Sequence, residues 1–234
     1  MFGKKIMKPG IFFLLLLTPF SLFSQQQQQQ TPPPKSQSSG GGIGFGIRGG
    51  FNFANVTNAS QVNGSSMAGY HFALFLAPHS RGVIGSRTEL IYSRSGYNYA
   101  SDSGSVNLDY IMLAQYMAIH ITKYFEIDFG GQTGYLLNAR VDSGKQVNYG
   151  NAQANSIMSY YNRLDYGFGA GVEIHPFMGI CIGARYNISL NSLYKTDFSS
   201  MNQGASGQPP SFVPSSPSVN LKNNVIQVYA GYRF

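Results

Sequence analysis

The chain has 234 residues, 11% of them charged and 14% aromatic, with 28 glycines, one cysteine, no tryptophan and a formal charge of +7. Soluble domains carry about 25% charged residues, so something other than water is expected to solvate part of the surface, and one cysteine excludes an internal disulfide framework or a multi-cysteine zinc site. The positive charge does not argue for nucleic acid, because 3 of the 16 basic residues, Lys4, Lys5 and Lys8, lie in a leader, leaving 13 basic against 9 acidic residues, or +4.

The leader has a basic start, MFGKKIMK, then the apolar run Ile11 to Leu17 and the stretch Thr18 to Ser24. This pattern predicts a secretory signal peptide over residues 1–24, cleaved near Ser24-Gln25. A membrane anchor would need about 20 continuous apolar residues, and Thr18, Pro19 and Ser21 interrupt the run. Residues 25–43, QQQQQQTPPPKSQSSGGGI, cannot bury enough apolar surface to offset chain entropy, so a disordered tether is expected there.

From residue 44 to residue 234 the repeating signal is alternation with period two, which predicts strands. In the first strand Phe45, Ile47, Phe51 and Phe53 oppose Gly46, Arg48, Gly50 and Asn52. In the second, Ala68, Tyr70, Phe72, Leu74 and Leu76 oppose Gly69, His71 and Ala73. In the third, Ile84, Leu90 and Tyr92 oppose Arg87, Glu89 and Ser93. The fourth, Val106 to Ile121, contains IMLAQYMAI, which is apolar on both parities, so its faces are left open. The fifth sets Phe125, Ile127, Phe129, Tyr135 and Leu137 against Glu126, Asp128, Gly130, Gln132, Gly134 and Asn138. The sixth sets Leu164, Tyr166, Phe168, Ala170, Val172 and Ile174 against Arg163, Asp165, Gly167, Gly169, Gly171 and Glu173. In the seventh, Ile180, Ile182, Ala184, Tyr186, Ile188 and Leu190 oppose Cys181, Gly183, Arg185, Asn187, Ser189 and Asn191. The last sets Ile226, Val228, Ala230, Tyr232 and Phe234 against Asn223, Val225, Gln227, Tyr229, Gly231 and Arg233.

The faces decide between a soluble sandwich and a membrane barrel. A solvated face favours Lys, Glu, Thr and Ser, whereas the polar face here has Gly, Arg, Asp and Glu with almost no lysine. That composition suits an all-β, eight-stranded, antiparallel up-and-down transmembrane barrel with lipid outside and a crowded polar interior. Connection lengths agree: VTNASQVNGSS, the stretch near Ala100 to Ser105, about 20 residues around Asp142 to Ser159, and Ser192 to Leu221 follow the odd strands. The even strands are followed by APHSRG, ITK and HPFM. Long external loops and short periplasmic turns imply an integral outer-membrane protein with both termini in the periplasm.

The segments GIRGGFNFANV (46–56), ELIYSRSGYNY (89–99), LDYGFGAGVEIHP (164–176), GARYNISLNSLY (183–194) and QVYAGYRF (227–234) resemble the PorT-like outer-membrane β-barrel proteins of Bacteroidota. The resemblance covers nearly all of residues 44–234, although IMLAQYMAI lacks the proline usual in that family's fourth strand. It implies a barrel fold, and some members of the family serve type IX secretion and gliding. Tyr232 and Phe234 resemble the terminal insertion signal read by barrel assembly machinery.

The chemical motifs are sparse. GFGIRG (44–49) satisfies G-x-G-x-x-G, but dinucleotide binding needs a helix after the strand, so no cofactor is expected. His71, His79, His120 and His175 lack the i, i+4 spacing of a metal helix, and no metal is expected. No catalytic residue is expected either; His71 is the sole base candidate near the outer rim. Ten inward charges are expected to form an interior network: Arg48, Arg87, Arg163, Arg185 and Arg233 against Glu89, Glu126, Asp128, Asp165 and Glu173. Carboxylates facing as many arginines stay ionised and make poor general acids. The sequence thus reads as a non-catalytic scaffold or interaction protein of the envelope, with a narrow or gated pore and a membrane enzyme as alternatives. The expected partners are outer-membrane lipid, barrel assembly machinery and secretion or envelope proteins, not nucleic acid.

Overall fold

The structure, a computed structural model, describes residues 42–56, 65–78, 82–99, 104–142, 158, 160–177, 179–195 and 221–234. The expected signal peptide, nearly all of the tether, and His79 lie outside the described residues. Eight strands follow in chain order: β1 (Ile43–Val56), β2 (Ser65–Pro78), β3 (Ile84–Tyr99), β4 (Gly104–His120), β5 (Phe125–Asp142), β6 (Leu164–Ile174), β7 (Ile180–Ser189) and β8 (Asn223–Arg233). Each pairs antiparallel with its sequence neighbours, and β1 pairs with β8 from Gly46↔Arg233 to Val56↔Asn223, so the sheet closes into a barrel. Closure gives every strand two hydrogen-bonded neighbours, which is what hydrocarbon surroundings demand of backbone polar groups.

Alternation sorts the side chains as the pleat requires. Phe45, Phe72, Leu74, Ile127, Phe168 and Val228 stand exposed on the outer face, Phe168 at 62%. Soluble monomers rarely expose apolar surface this continuous; it is a lipid-facing belt. Aromatic side chains flank it at both ends, with Tyr70, Tyr135 and Tyr166 toward the loops and Tyr124, Phe177 and Phe234 toward the short turns. Such girdles sit where hydrocarbon meets headgroups.

The structure resolves the faces of β4. Val106, Leu108, Tyr110, Ala114, Tyr116 and Ala118 point inward, while Ile111 and Leu113 face out. Its parity is hidden in the sequence because small or aromatic residues fill the lumen there and aliphatic ones meet lipid, and both kinds are apolar. Two expectations are corrected. Asn138 is not inward: a register shift against β4, where Asp109 pairs with Asn138 and Tyr110 with Leu136, inserts Leu137 as an extra residue and reverses the parity beyond it. The third connection, 100–103, is as short as the 121–124 turn, because β3 and β4 pair all the way to Tyr99↔Gly104.

The interior has three levels. Charged side chains fill the turn-end half. Above them Asn52 and His71 are hydrogen-bonded across strands. Near the loops an apolar cluster joins Tyr97, Leu108, Tyr110 and Leu136 to Met158, Tyr161, Leu193, Tyr194 and Leu221 from the connections.

If the belt is lipid-facing, Phe168→Arg costs about 2 to 4 kcal/mol of barrel stability, whereas Phe177→Arg, in the turn, costs no more than about 1 kcal/mol. Urea unfolding in lipid vesicles, read by the mobility difference between folded and unfolded barrel on gels, measures both; equal costs would contradict the face assignment.

Candidate functional site

Glu89, 1% exposed, lies inward on β3. Its Oε1 accepts hydrogen bonds from Arg48 Nη1 at 2.7 Å, Arg87 Nε at 2.8 Å and Arg185 Nη2 at 3.2 Å, and its Oε2 accepts one from Arg185 Nη1 at 3.0 Å. Asp128 on β5 accepts from Arg185 Nε at 3.2 Å and from Arg87 Nη2 at 2.5 Å. Arg87 Nη1 reaches Glu126 Oε1 at 2.7 Å, and Arg48 Nη2 reaches Glu173 Oε2 at 2.6 Å, where the Tyr229 hydroxyl also donates at 3.0 Å. Arg48 lies between the rings of Phe75 and Tyr229, and Arg185 lies 3.7 Å from the centroid of Tyr116. Aromatic faces thus cover the guanidiniums that carboxylates hold in plane.

The remaining expected members of the network lie elsewhere. Arg163 precedes β6, is exposed and donates to the Tyr135 hydroxyl at 3.1 Å on the outer surface; the strand begins at Leu164, so the alternation no longer governs it. Asp165 is inward but near the loop end, hydrogen-bonded by Ser189 Oγ, six residues along β6 from Gly171, the partner of Arg185. Arg233 lies at the turn end, donating to the Ala77 carbonyl at 3.0 Å and meeting no carboxylate among the described residues. The sequence shows which face a residue takes but not its height in the barrel, and height decides these three.

One charged pair was not foreseen. Arg94 on β3 forks onto Asp109 on β4 at 2.6 and 3.1 Å, with Asn138 donating to the same carboxylate at 3.4 Å. Arg94 takes the outward parity of Leu90 and Tyr92 and pairs directly with Asp109, and the bulge against β5 turns Asn138 outward beside them, above the apolar belt. The spacing of Arg94 from Glu89 in the third strand, five residues and hence opposite parity, is the signal that could have found it.

Of the histidines, His71 Nδ1 donates to Asn52 Oδ1 at 2.8 Å inside the barrel, so it is a lumenal structural group rather than a base at the rim. His120 and His175 converge instead on the turn-end carboxylates. His120 Nε2 is 3.3 Å from Glu126 Oε2, and His175 Nε2 is 3.7 Å from that oxygen and 3.3 Å from Glu173 Oε1. Helical spacing could not show this, because the neighbours are made by register: His120 pairs with Glu126, and Glu126 with Glu173. The GFGIRG motif runs within β1, and Gly44 leaves room for Arg233, whose Nε would be 2.8 Å from a Cβ there. Tyr232 and Phe234 face outward, and the Phe234 ring stacks on Phe45 at 4.9 Å.

At the loop end the Tyr97 hydroxyl contacts the hydroxyls of Tyr161 and Tyr194, whose rings stack at 4.9 Å. Burial pushes the Tyr161 and Tyr194 hydroxyls well above the ordinary phenol pKa, so both remain protonated. Among the described residues, the lumen holds a cavity of about 70 Å³ at the turn end and one of about 20 Å³ beside Asp165, the second large enough for one water.

Arg185→Ala leaves Glu89 and Asp128 short of a buried partner and is expected to cost about 3 to 5 kcal/mol. Arg163→Ala, at the surface, is expected to stay within about 0.5 kcal/mol. Parallel urea titrations of the two variants check this, and a silent Arg185→Ala would contradict the network.

A family model described as "Outer membrane protein beta-barrel domain" matches residues 23–195. Among solved structures, Neisserial surface protein A is similar at 15% identity and a TM-score of 0.50, covering 82% of this chain and 99% of that one. Ail, the attachment invasion locus protein of Yersinia pestis, is similar at 16% identity and 0.43, covering 82% and 98%. OprG from Pseudomonas aeruginosa is similar at 12% identity and 0.39, covering 82% and 95%. No curated protein matches the sequence. With the family model spanning well over half the chain and the closed eight-stranded barrel to match, the chain belongs to the outer membrane protein beta-barrel domain family and is an integral outer-membrane protein.

Proposed function

We propose that the barrel is a non-catalytic scaffold or interaction protein of the cell envelope, its termini and short turns in the periplasm and its loops outside. The observation that carries this reading is the filled lumen: guanidiniums from β1, β3 and β7 cross to carboxylates on β3, β5 and β6, with an aromatic cluster above them. A barrel of eight strands is only wide enough for its own side chains. Work then falls to the ends and the lipid-facing wall. The connections 143–163 and 190–222 give the loop end much more chain than the turns at 79–83, 121–124 and 175–179 give the other.

The PorT-like resemblance makes type IX protein secretion the machine to test. Deleting the gene and assaying export of type IX cargo separates the readings: lost export supports a subunit of that machine, and normal export with altered envelope integrity supports a general envelope barrel. The filled lumen also predicts little or no steady conductance in planar bilayers, where large, stable channels would favour the pore reading.

A further inference from the structure

The turn end of the lumen holds carboxylate and imidazole groups that the ion network leaves unused. Each of the two carboxylates commits one oxygen to the network: Glu126 Oε1 to Arg87, and Glu173 Oε2 to Arg48 and Tyr229. The other oxygens turn toward His175. Glu173 is 1% exposed, yet its Oε1 has no hydrogen-bond partner, and neither has the buried His175 Nε2 3.3 Å away. An unpaired buried acceptor is expensive and calls for a ligand.

We infer that Glu126, Glu173 and His175 form a binding site for a divalent transition-metal ion, zinc being the best fit, at the turn-end mouth of the barrel. One ligand atom from each of the three residues lies within 4.8 Å of the other two, and His175 Nε2 is 3.7 Å from Glu126 Oε2 and 3.3 Å from Glu173 Oε1. The 3.3 and 3.7 Å separations from His175 are long for charge-assisted hydrogen bonds, which run about 2.7 to 2.9 Å. Tetrahedral zinc with bonds of about 2.1 Å holds its ligand atoms about 3.4 Å apart, so small shifts bring the three groups onto one ion.

The ligand set mixes one imidazole with two carboxylates, the donors that zinc and its first-row neighbours accept, while calcium and magnesium take oxygen alone. Arg87, Arg48 and Tyr229 hold the carboxylates from behind, as outer-shell partners orient metal ligands. His120 Nδ1 donates to the Val83 carbonyl at 3.3 Å, which leaves Nε2, 3.3 Å from Glu126 Oε2, as the lone-pair nitrogen beside the site. An opening of about 580 Å³, lined by His120, Lys123, Tyr124 and His175 among others, gives entry from the turn side. Arg233 and Lys123 line the same opening and oppose a cation, so affinity depends on direct bonds rather than on attraction by net charge.

The inference stands independently of the scaffold proposal. Protein folded in detergent and carrying no histidine tag is titrated with zinc chloride at pH 7.5 by calorimetry, beside His175→Ala and His71→Ala. The gel mobility of the folded form confirms that each variant is intact, and neither histidine belongs to the arginine network. Saturable one-to-one binding is expected, weakened at least about 10-fold by His175→Ala and unchanged by His71→Ala. No saturable binding by the wild type, or binding that His175→Ala leaves intact, would overturn it.

Discussion

Three guanidiniums converge on one carboxylate, Glu89, at the axis of a barrel too narrow to hold anything else, and the surrounding positions are shaped by that convergence. Arg48, Arg87 and Arg185 reach it from three strands. Space for their long side chains comes from glycine: a Cβ at Gly231 would lie 2.7 Å from Arg48 Cγ, and one at Gly171 would lie 2.9 Å from Asp128 Oδ1. Gly231 in β8 and Gly169 and Gly171 in β6, bare positions that alternate with lipid-facing residues, thus leave room for the charged network and the groups packed on it. Burying so many charges is costly in itself, and it is tolerated because each guanidinium finds carboxylates in plane and an aromatic face alongside.

The network also divides the molecule functionally. Below it lies a small, polar, histidine-lined mouth; above it lies an aromatic cluster built partly from the connections. Among the described residues, paired charges and aromatic rings fill the barrel between the two, which is the packing on which the scaffold proposal rests. The outer surface is committed to lipid, with aromatic girdles at both edges and the Arg94–Asp109 pair just beyond the loop-side edge.

Much of this was legible in the sequence because a strand's period of two needs only local information. Phe168 against Gly169, or Ile182 against Arg185, declares its face from its immediate neighbours. Properties set by pairing between strands were not legible. Asn138 changed face through one extra residue at Leu137, Arg163 fell outside its strand by a single position, and Asp165 and Arg233 share a face with the network but stand at other heights. The same limit hid the cluster of His120, Glu126, Glu173 and His175, which are scattered over more than fifty residues of chain and become neighbours only when β4, β5 and β6 pair in register. In β4 local information itself failed, since Ala114 and Leu113 take opposite faces although both are apolar.

The central claim is that Glu89 and Arg185 stabilise the barrel through each other, and a double-mutant cycle tests it most directly. Reversible unfolding of Glu89→Gln, Arg185→Gln and the double variant in lipid vesicles yields a coupling energy independent of what either charge costs to bury. The account predicts a coupling of about 1 to 3 kcal/mol; additivity within about 0.5 kcal/mol would contradict it.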